Sequence, residues 1–206
     1  MKTPFLTLSF ILITLLVSQS VLTEVEYNSV HDETYWFPNK EFTLEGFNIG
    51  SVRSNLVWGD RMMVFVDEDN CGLEKPQIRL NLTTKKVKTE FPDFDFSSLE
   101  GKSMELSLNF DGKYIERNRA QIVSTLHFEN GNHAVQLNLG EVYDTFLAID
   151  EKYGTLLGWQ VLTLKIQEND PNRRYFDLPE RQYRMGGFRA VMVHLIEECK
   201  KNVKAK

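Results

Sequence analysis

The segment 103–139, "SMELSLNFDGKYIERNRAQIVSTLHFENGNHAVQLNL", decides the fold of this chain. It holds three stretches in which apolar and polar residues alternate, separated by Asp111-Gly112 and Asn130-Gly131. A period of two is typical of strands that bury one face. Asp-Gly and Asn-Gly favour two-residue hairpin turns, because both turn positions tolerate a positive φ. The segment therefore predicts a three-stranded antiparallel meander.

The second of these turns determines where two histidines of the meander point. A two-residue turn at Asn130-Gly131 pairs Phe128 with His133. Because side chains alternate between the faces of a strand, His127 and His133 would then lie on opposite faces. We therefore predict that they do not share a metal ion. The chain also has no HExxH motif and no zinc-type cysteine spacing, so neither a metal nor a cofactor is expected.

Three further strands are predicted before the meander. Segment 41–50 alternates, and Gly46 interrupts it in the way that a β-bulge would. Segment 61–69 is a compact apolar run that ends in acids, and segment 77–84 alternates Ile and Leu with Arg, Asn and Thr. Cys71 lies in the connection between these last two strands.

The chain after the meander predicts one helix and then more strands. Apolar residues recur with the helical period in segment 141–154, and Gly154 ends the pattern. Segment 159–167 alternates as a strand does, and segment 174–178 resembles a short strand. Segment 181–187 has no regular pattern.

The segment 186–202, "GGFRAVMVHLIEECKKN", has the clearest helical pattern in the chain. Its apolar residues share one helix face, and they are Phe188, Val191, Met192, Leu195, Ile196 and Cys199. Together, these elements predict a mainly β fold of the α+β type. We expect an antiparallel β-sheet or sandwich, with a mid-chain helix and a C-terminal amphipathic helix packed on it.

The first 20 residues have the pattern of a secretory signal peptide. Lys2 precedes an apolar run over residues 5–17, and small residues follow up to Ser20. The run has about 13 residues, fewer than the roughly 20 that span a bilayer. We predict cleavage near Ser20, which leaves one β-rich domain over residues 21–206. That domain would be periplasmic or secreted and would have no transmembrane segment.

The composition excludes some partners and indicates a folded chain. The net charge is −5, and loss of Lys2 with the signal peptide would make it one unit more negative. Nucleic acid is not an expected partner, because binding it requires a basic face. The apolar fraction of 42% excludes general disorder.

The stretch 67–72, "DEDNCG", is compatible with three kinds of site. An EF-hand calcium loop needs an oxygen ligand at its fifth position and glutamate at its twelfth, where this chain has Cys71 and Ile78. A reactive thiolate needs a cation, a histidine or a helix N-terminus nearby. Acids surround Cys71, and Cys199 lies near the C-terminal end of a helix. The third kind of site is one half of a disulfide.

The two cysteines of the chain, Cys71 and Cys199, fit this third interpretation best. An even number of cysteines in an exported protein indicates pairing, because the compartment is oxidising. Cys199 lies on the apolar face of the last helix, and Cys71 follows a strand. We predict a Cys71–Cys199 disulfide that holds the end of this helix on the sheet.

The segment 90–100, "EFPDFDFSSLE", is the predicted contact surface for a partner. Phe91, Phe94 and Phe96 alternate with acids, and exposed rings in that setting can anchor another protein. The alternative is that the rings fold back as a small satellite core. Separately, Asn81 begins an N-glycosylation sequon, which matters only if the source is eukaryotic.

The C-terminal part of the chain resembles some families of small bacterial periplasmic proteins. The residues concerned are "LLGWQVLTLKI", a turn, "YFDL" and "GGFRAVMVHLIEEC", within residues 156–199. This order resembles the invasion-associated locus B proteins and the VasI-like accessory proteins of type VI secretion. Pro179–Met185 makes the spacing before Gly186 longer than in that pattern. The resemblance implies a small, exported, β-rich and non-enzymatic protein, and it transfers no functional residue.

We therefore expect a non-enzymatic interaction or accessory protein whose partner is another protein. It would be an envelope or secretion-system component, or an immunity-type inhibitor. One alternative is a module that binds a small ligand or lipid between sheet and helix, which needs a cavity of roughly several hundred Å³. A second alternative is a carboxylate-based hydrolase, which needs convergent polar groups in a cleft. The chain has no G-x-S-x-G motif, phosphate-binding loop or dinucleotide fingerprint.

Overall fold

A computed structural model describes residues 35–39, 44–57, 59–71, 75–111, 113–153 and 161–205. Within these residues the chain forms one curled antiparallel sheet with helices packed on it, so the mainly β prediction is confirmed. The predicted signal peptide over residues 1–20 lies outside the described residues. No helix of the described part is long and apolar enough to cross a membrane.

Nine strands and three α-helices are present in the described chain. The strands are β1 (Phe37–Pro38), β2 (Phe47–Arg53), β3 (Arg61–Asp67), β4 (Gln77–Thr84), β5 (Ser103–Phe110), β6 (Lys113–His127), β7 (His133–Asn138), β8 (Val161–Ile166) and β9 (Glu180–Arg184). The helices are α1 (Lys86–Glu90), α2 (Tyr143–Tyr153) and α3 (Phe188–Ala205). Two 3₁₀ helices cover Phe96–Leu99 and Pro171–Tyr175.

The strands lie in the order β1-β2-β3-β4-β7-β6-β5-β8-β9, and neighbours are antiparallel. The predicted meander β5-β6-β7 is confirmed. Strand β6 is 15 residues long, and its first part pairs with β5 whereas its second part pairs with β7. The pairing shifts between Ile122 and Ser124, which is a β-bulge or a similar irregularity. This long strand joins the two halves of the sheet.

The first turn of the meander has the predicted length, and the second does not. Phe110 pairs with Lys113, as a two-residue turn requires. In the second hairpin the Phe128 N–H donates to the Asn132 carbonyl at 2.9 Å, so three residues form the loop. Gly131 takes a φ of +78°, which is typical of three-residue loops with a left-handed last residue.

The extra loop residue shifts the β6–β7 register by one position. His127 is therefore paired with His133, and the prediction that these side chains lie on opposite faces is wrong. A slip of one residue moves every side chain of a strand to the other face. The two histidines are direct neighbours as a result.

The predicted strands β3 and β4 are confirmed, but β2 starts later than expected. Gly46 has a φ of +81° and lies in a tight turn in which the Phe47 N–H donates to the Leu44 carbonyl at 3.0 Å. The prediction of a bulge at Gly46 within a strand is therefore wrong. A glycine is favourable in a β-bulge and in a tight turn alike, because it adopts positive φ without steric cost. The sequence alone therefore did not distinguish the two.

Two predictions for the region after β8 are also wrong. Segment 174–178 is not a strand, because the 3₁₀ helix Pro171–Tyr175 reaches into it. Asp170 caps that helix by accepting a hydrogen bond from the Asn172 N–H at 2.7 Å. The supposedly irregular segment 181–187 contains most of β9, which pairs with β8 at the edge of the sheet. Its buried residues include Arg181, which conceals the strand pattern.

Helix α3 packs on the buried face of β1, β2 and β3. Gly50 allows the close approach, because a Cβ atom there would lie 2.5 Å from Val191 Cγ1 and 3.2 Å from Leu195 Cδ1. The Phe188 ring contacts Trp36 edge-on at 4.9 Å, and both side chains are buried. The predicted packing of the C-terminal helix on the sheet is confirmed.

The predicted disulfide is present. Cys71 and Cys199 are bonded, and their Cα atoms are 5.5 Å apart, within the usual range for a bridge. Cys71 follows β3 in a turn with a φ of +46°, and its N–H donates to the Asp67 carbonyl at 2.9 Å. The bridge therefore connects the end of β3 with the C-terminal half of α3.

Candidate interaction surface

Three large apolar side chains are exposed at the C-terminal end of β6 and in the residue that follows it. The exposed fractions are 38% for Val123, 40% for Leu126 and 41% for Phe128. They lie within six residues of one another, and Leu126 and Phe128 share a face because side chains alternate. We call these three residues the hairpin surface. A group of exposed apolar residues is a more informative feature than single ones, which are normal on any protein.

The hairpin surface is exposed because β5 does not extend along it. The β5–β6 pairing ends at Gln121, opposite Ser103. Beyond that point the Ile122 backbone bonds to Gly101 and Lys102, at 2.9 and 2.8 Å. The irregular pairing at Ile122–Ser124 then re-aims Val123. The rest of β6 has no strand beside it on this edge in the described chain.

The open edge of β6 is closed by a carboxylate rather than by a strand. Glu100 Oε1 accepts hydrogen bonds from the Thr125 N–H at 2.8 Å and from Thr125 Oγ1 at 2.7 Å. These bonds hold the pKa of the Glu100 carboxyl below its usual value, the side-chain bond having the larger effect. A capped edge is poorly suited to strand addition. A partner would therefore contact the hairpin surface through side chains.

The two histidines of the hairpin form a close pair on the opposite face from Leu126 and Phe128. His127 Nδ1 and His133 Nε2 are 3.0 Å apart, and the ring centroids are 4.5 Å apart. The Phe96 ring contacts His133 edge-on at 5.0 Å. Burial, and then the neighbouring His127, lower the pKa of His133. A neutral imidazole at this position can accept a proton or bind a metal.

The predicted contact residues Phe91, Phe94 and Phe96 largely fold back onto the core. Phe96 is buried, and Phe94 stacks on Tyr175 with ring centroids 4.1 Å apart. Phe91 contacts the same Tyr175 ring edge-on at 5.2 Å. This is the arrangement of the satellite-core alternative. Contact of Phe91 and Phe94 with a partner stays a prediction, whereas burial removes Phe96 from the available surface.

A buried ion pair connects distant parts of the sheet. Asp60 and Arg181 are fully or almost fully buried, and the Arg181 guanidinium bonds to Asp60 Oδ2. The Thr83 N–H also donates to Asp60 Oδ1 at 2.6 Å. Burial raises the pKa of the Asp60 carboxyl, and Arg181 and Thr83 partly offset this effect. The pair ties the start of β3 to the end of β4 and to β9.

The Tyr183 hydroxyl lies near this ion pair and is also fully buried. It has no hydrogen-bond partner within the described chain, and burial raises the pKa of Tyr183 well above its usual value. Perturbed groups that converge are a common mark of a catalytic site. Asp60, Arg181 and Tyr183 are at most 2% exposed, so no substrate reaches them in this structure.

An open polar depression covers the outer face of β5, β6 and β8. Its volume is about 680 Å³. Ser107 lines it together with Arg117 and Lys165, which are its partners on the neighbouring strands. Lys165 Nζ is 3.7 Å from a carboxylate oxygen of Glu168, which offsets its charge. The depression could hold a polar molecule but has no uniform charge.

The interface between the sheet and α3, where a small ligand or lipid would bind in the alternative prediction, is tightly packed. Gly50 leaves no free space for a Cβ atom against Val191. On the other face of the sheet, a cavity beside Phe47 and Phe65 measures about 40 Å³. Pockets for small molecules are typically about 300–1,000 Å³. Neither place has the dimensions that an apolar ligand needs.

The acids around Cys71 shape a turn. Asp67 Oδ1 accepts a hydrogen bond from the Asp69 N–H at 2.8 Å, which is a local Asx-type contact. The Asp67 and Glu68 carbonyls lie near Cys199 Sγ, at 3.7 and 3.5 Å. Within the described residues, no three side chains of His, Cys, Asp or Glu come together as metal ligands.

Sequence reasoning missed two groups of residues that the fold brings together. The His127–His133 pair depends on one extra loop residue, and the left-handed Gly131 was the available signal for it. The Asp60–Arg181 pair joins residues 121 positions apart, and no local pattern indicates it. The predicted Cys71–Cys199 pair was found because both cysteines had distinctive positions.

Comparison with known proteins gives no further guide to the function. No protein-family model, curated protein or solved structure matches the chain.

Proposed function

We propose that the chain is a non-enzymatic, exported interaction or accessory protein, and that the hairpin surface binds its protein partner. The observation that carries this proposal is the exposure of Val123, Leu126 and Phe128 at one end of β6. Large apolar side chains at the centre of an interface supply much of its binding energy. Because the backbone edge is capped, the partner would contact these side chains rather than backbone groups of the hairpin.

Two features support export to the periplasm or the cell exterior. The predicted signal peptide would direct the chain there, and the Cys71–Cys199 disulfide suits an oxidising compartment. The resemblance to periplasmic accessory proteins points to the same location. Within this class we propose an envelope or secretion-system component, or an immunity-type inhibitor.

The alternatives receive less support from the geometry. An apolar ligand between sheet and helix would need space that Val191 occupies at Gly50. A carboxylate-based hydrolase would need an accessible acid whose pKa is raised. The pKa of Asp60 is raised, but Asp60 is enclosed by Arg181 and Thr83, whereas the pKa of the exposed Glu100 is lowered. The proposed function therefore rests on a surface rather than on a cleft.

The experiment that tests the proposal is site-specific photocrosslinking in the producing cells. A photoreactive phenylalanine analogue replaces Phe128 in one variant and Val193 in the control. Val193 lies on α3 and is 50% exposed, so it matches Phe128 in accessibility. We expect a defined crosslinked protein from position 128 and none from position 193, because only the first position lies in the proposed interface.

A second variant shows whether the apolar side chains are required. Leu126→Lys combined with Phe128→Lys should abolish the complex while leaving the fold intact, because both side chains are already partly in solvent. Far-UV circular dichroism verifies the fold. Identical crosslinks from positions 128 and 193, or a complex that survives the double substitution, would contradict the proposal.

A further inference from the structure

Two histidines, His127 and His133, lie side by side on the β6–β7 hairpin. The residues are direct partners on β6 and β7, so the backbone of both is held by strand pairing. Their facing nitrogens are 3.0 Å apart. Such a pair shares a single proton when no metal is present, because each nitrogen is otherwise a lone-pair donor directed at the other.

We propose that His127 and His133 together bind one divalent transition-metal ion of the kind that prefers imidazole, with Zn²⁺ and Cu²⁺ as the leading candidates. Imidazole nitrogen is a preferred ligand of both ions. When the metal binds, the ring that donates the hydrogen bond carries its proton on its other nitrogen instead, so that both facing nitrogens offer a lone pair. The ion exchanges two of its water ligands for these nitrogens. This site is independent of the proposed function, although it lies on the same hairpin.

The spacing of the two nitrogens fits a single metal ion. At a metal–nitrogen distance of about 2.0–2.1 Å, two ligand atoms are about 2.9 Å apart at a right angle and about 3.3 Å apart at a tetrahedral angle. The observed 3.0 Å lies between these values. Rotation of the rings aims both lone pairs at one point, and His127 is exposed to solvent.

The surroundings of His133 also suit metal binding. The Phe96 ring contacts His133 edge-on, with the ring centroids 5.0 Å apart. Strand pairing holds the backbone of both histidines. A ligand that is already oriented loses less free energy on binding.

The charges around the hairpin define the remaining coordination. The Lys88 amine donates to the Asn130 carbonyl at 3.3 Å and so is held on the turn. The Glu100 carboxylate is occupied by Thr125. No third protein ligand comes from the described residues, so the other positions would take water or a side chain of a partner. This predicts moderate affinity and an accessible ion.

The test is calorimetric titration of the purified, metal-free protein with ZnSO₄ and, separately, with CuCl₂ at pH 7.5. The variants are His127→Gln and His133→Gln, and the control is His194→Gln. His194 is a surface histidine on α3 whose Nε2 lies 3.3 Å from a Glu198 oxygen, so it resembles a weak site without the paired ring. We expect a single site in the wild type and about a tenfold or greater loss of affinity in either hairpin variant.

Two further measurements make the outcome decisive. The wild-type affinity should fall as the pH is lowered from 7.5 to 5.5, because protons displace the metal from imidazole. His127 is exposed, so His127→Gln should fold even if His133→Gln does not, and circular dichroism verifies this. Wild-type binding that His127→Gln leaves unchanged, or no binding in the wild type, would overturn the proposal. Neither result affects the crosslinking test of the hairpin surface.

Discussion

At the scale of single residues, His133 shows how burial sets the behaviour of an ionisable group. Its ring is packed between His127 and Phe96, and burial disfavours the charged form. The folded state therefore holds its proton less tightly than the unfolded chain does. A difference of this kind links folding stability to pH.

We expect the metal-free protein to lose stability as the pH falls below about 6.5, the usual pKa of histidine. The pKa of His133 is lowered in the folded state, so between that lowered value and about 6.5 the unfolded state binds more protons. The stability that depends on a neutral His133 is therefore fully present above this pH window. It is lost as the pH falls through the window. Thermal unfolding in the presence of a chelator, at a series of pH values, measures the effect.

The matched variants separate His133 from the other titrating groups. His133→Gln should flatten the pH dependence in this window, because glutamine does not titrate. His194→Gln, which removes a histidine of α3 instead, is the matched control. Equal pH dependence in the wild type and in His133→Gln would show that this histidine is not responsible.

At the scale of elements, α3 is held on the sheet by packing and by one covalent bond. Its Phe188 end packs on Trp36, and its other half carries Cys199. The bridge spans a sequence separation of 128 residues, so it restricts the unfolded chain strongly in the chain-entropy description. The contacts at Gly50 lie between these two anchors.

Removal of the disulfide should destabilise the protein by about 2–5 kcal/mol. The variant is Cys71→Ser combined with Cys199→Ser, and urea unfolding followed by tryptophan fluorescence measures the free energy of unfolding. Hydrogen exchange should show the largest loss of protection in the C-terminal half of α3, where the bond is attached. The reduced wild type serves as the control and should behave like the double variant. Unchanged exchange in α3 would mean that packing alone holds the helix.

The elements also show which structural features the sequence could predict. The meander, β4, α2 and α3 were predicted because each has a period of two or of about 3.6 residues, and β3 was predicted from a short, compact apolar run. Strand β9 was missed, because Arg181 is a buried residue of a type that is almost always exposed. The β6–β7 register was missed because Asn130-Gly131 fits both a two-residue and a three-residue loop.

The hairpin surface could be predicted only in part. Val123 and Leu126 belong to a strand that the alternation identified, but their exposure depends on where β5 ends and on the shift at Ile122–Ser124. Phe91, Phe94 and Phe96 had the more conspicuous pattern, yet Tyr175 and His133 cover much of their surface. Contacts between residues far apart in sequence determine both the exposure of the hairpin surface and the packing of these three phenylalanines.

At the scale of the whole molecule, the Asp60–Arg181 pair connects segments that are distant in the strand order. Asp60 precedes β3, whereas Arg181 belongs to β9 at the far edge of the sheet. The Asn55 N–H also donates to the Gln182 carbonyl at 2.8 Å, so the two regions meet through backbone as well. These contacts bring the ends of the curled sheet together around one core. Burial of both charges makes the closure sensitive to the loss of either partner.

Asp60→Asn should therefore destabilise the protein by about 3–5 kcal/mol, because it leaves the Arg181 charge buried without a counter-ion. The asparagine can still accept the hydrogen bond from the Thr83 N–H. Most of the lost stability is therefore due to the missing carboxylate charge. In Asp60→Asn combined with Arg181→Met, no charge is buried, and the double variant should recover much of the stability. Urea unfolding of the wild type and the three variants, including Arg181→Met alone, gives the coupling free energy. A double variant less stable than Asp60→Asn would show that the guanidinium, with its bonds to the Leu178 and Thr83 carbonyls, stabilises the closure even without the carboxylate.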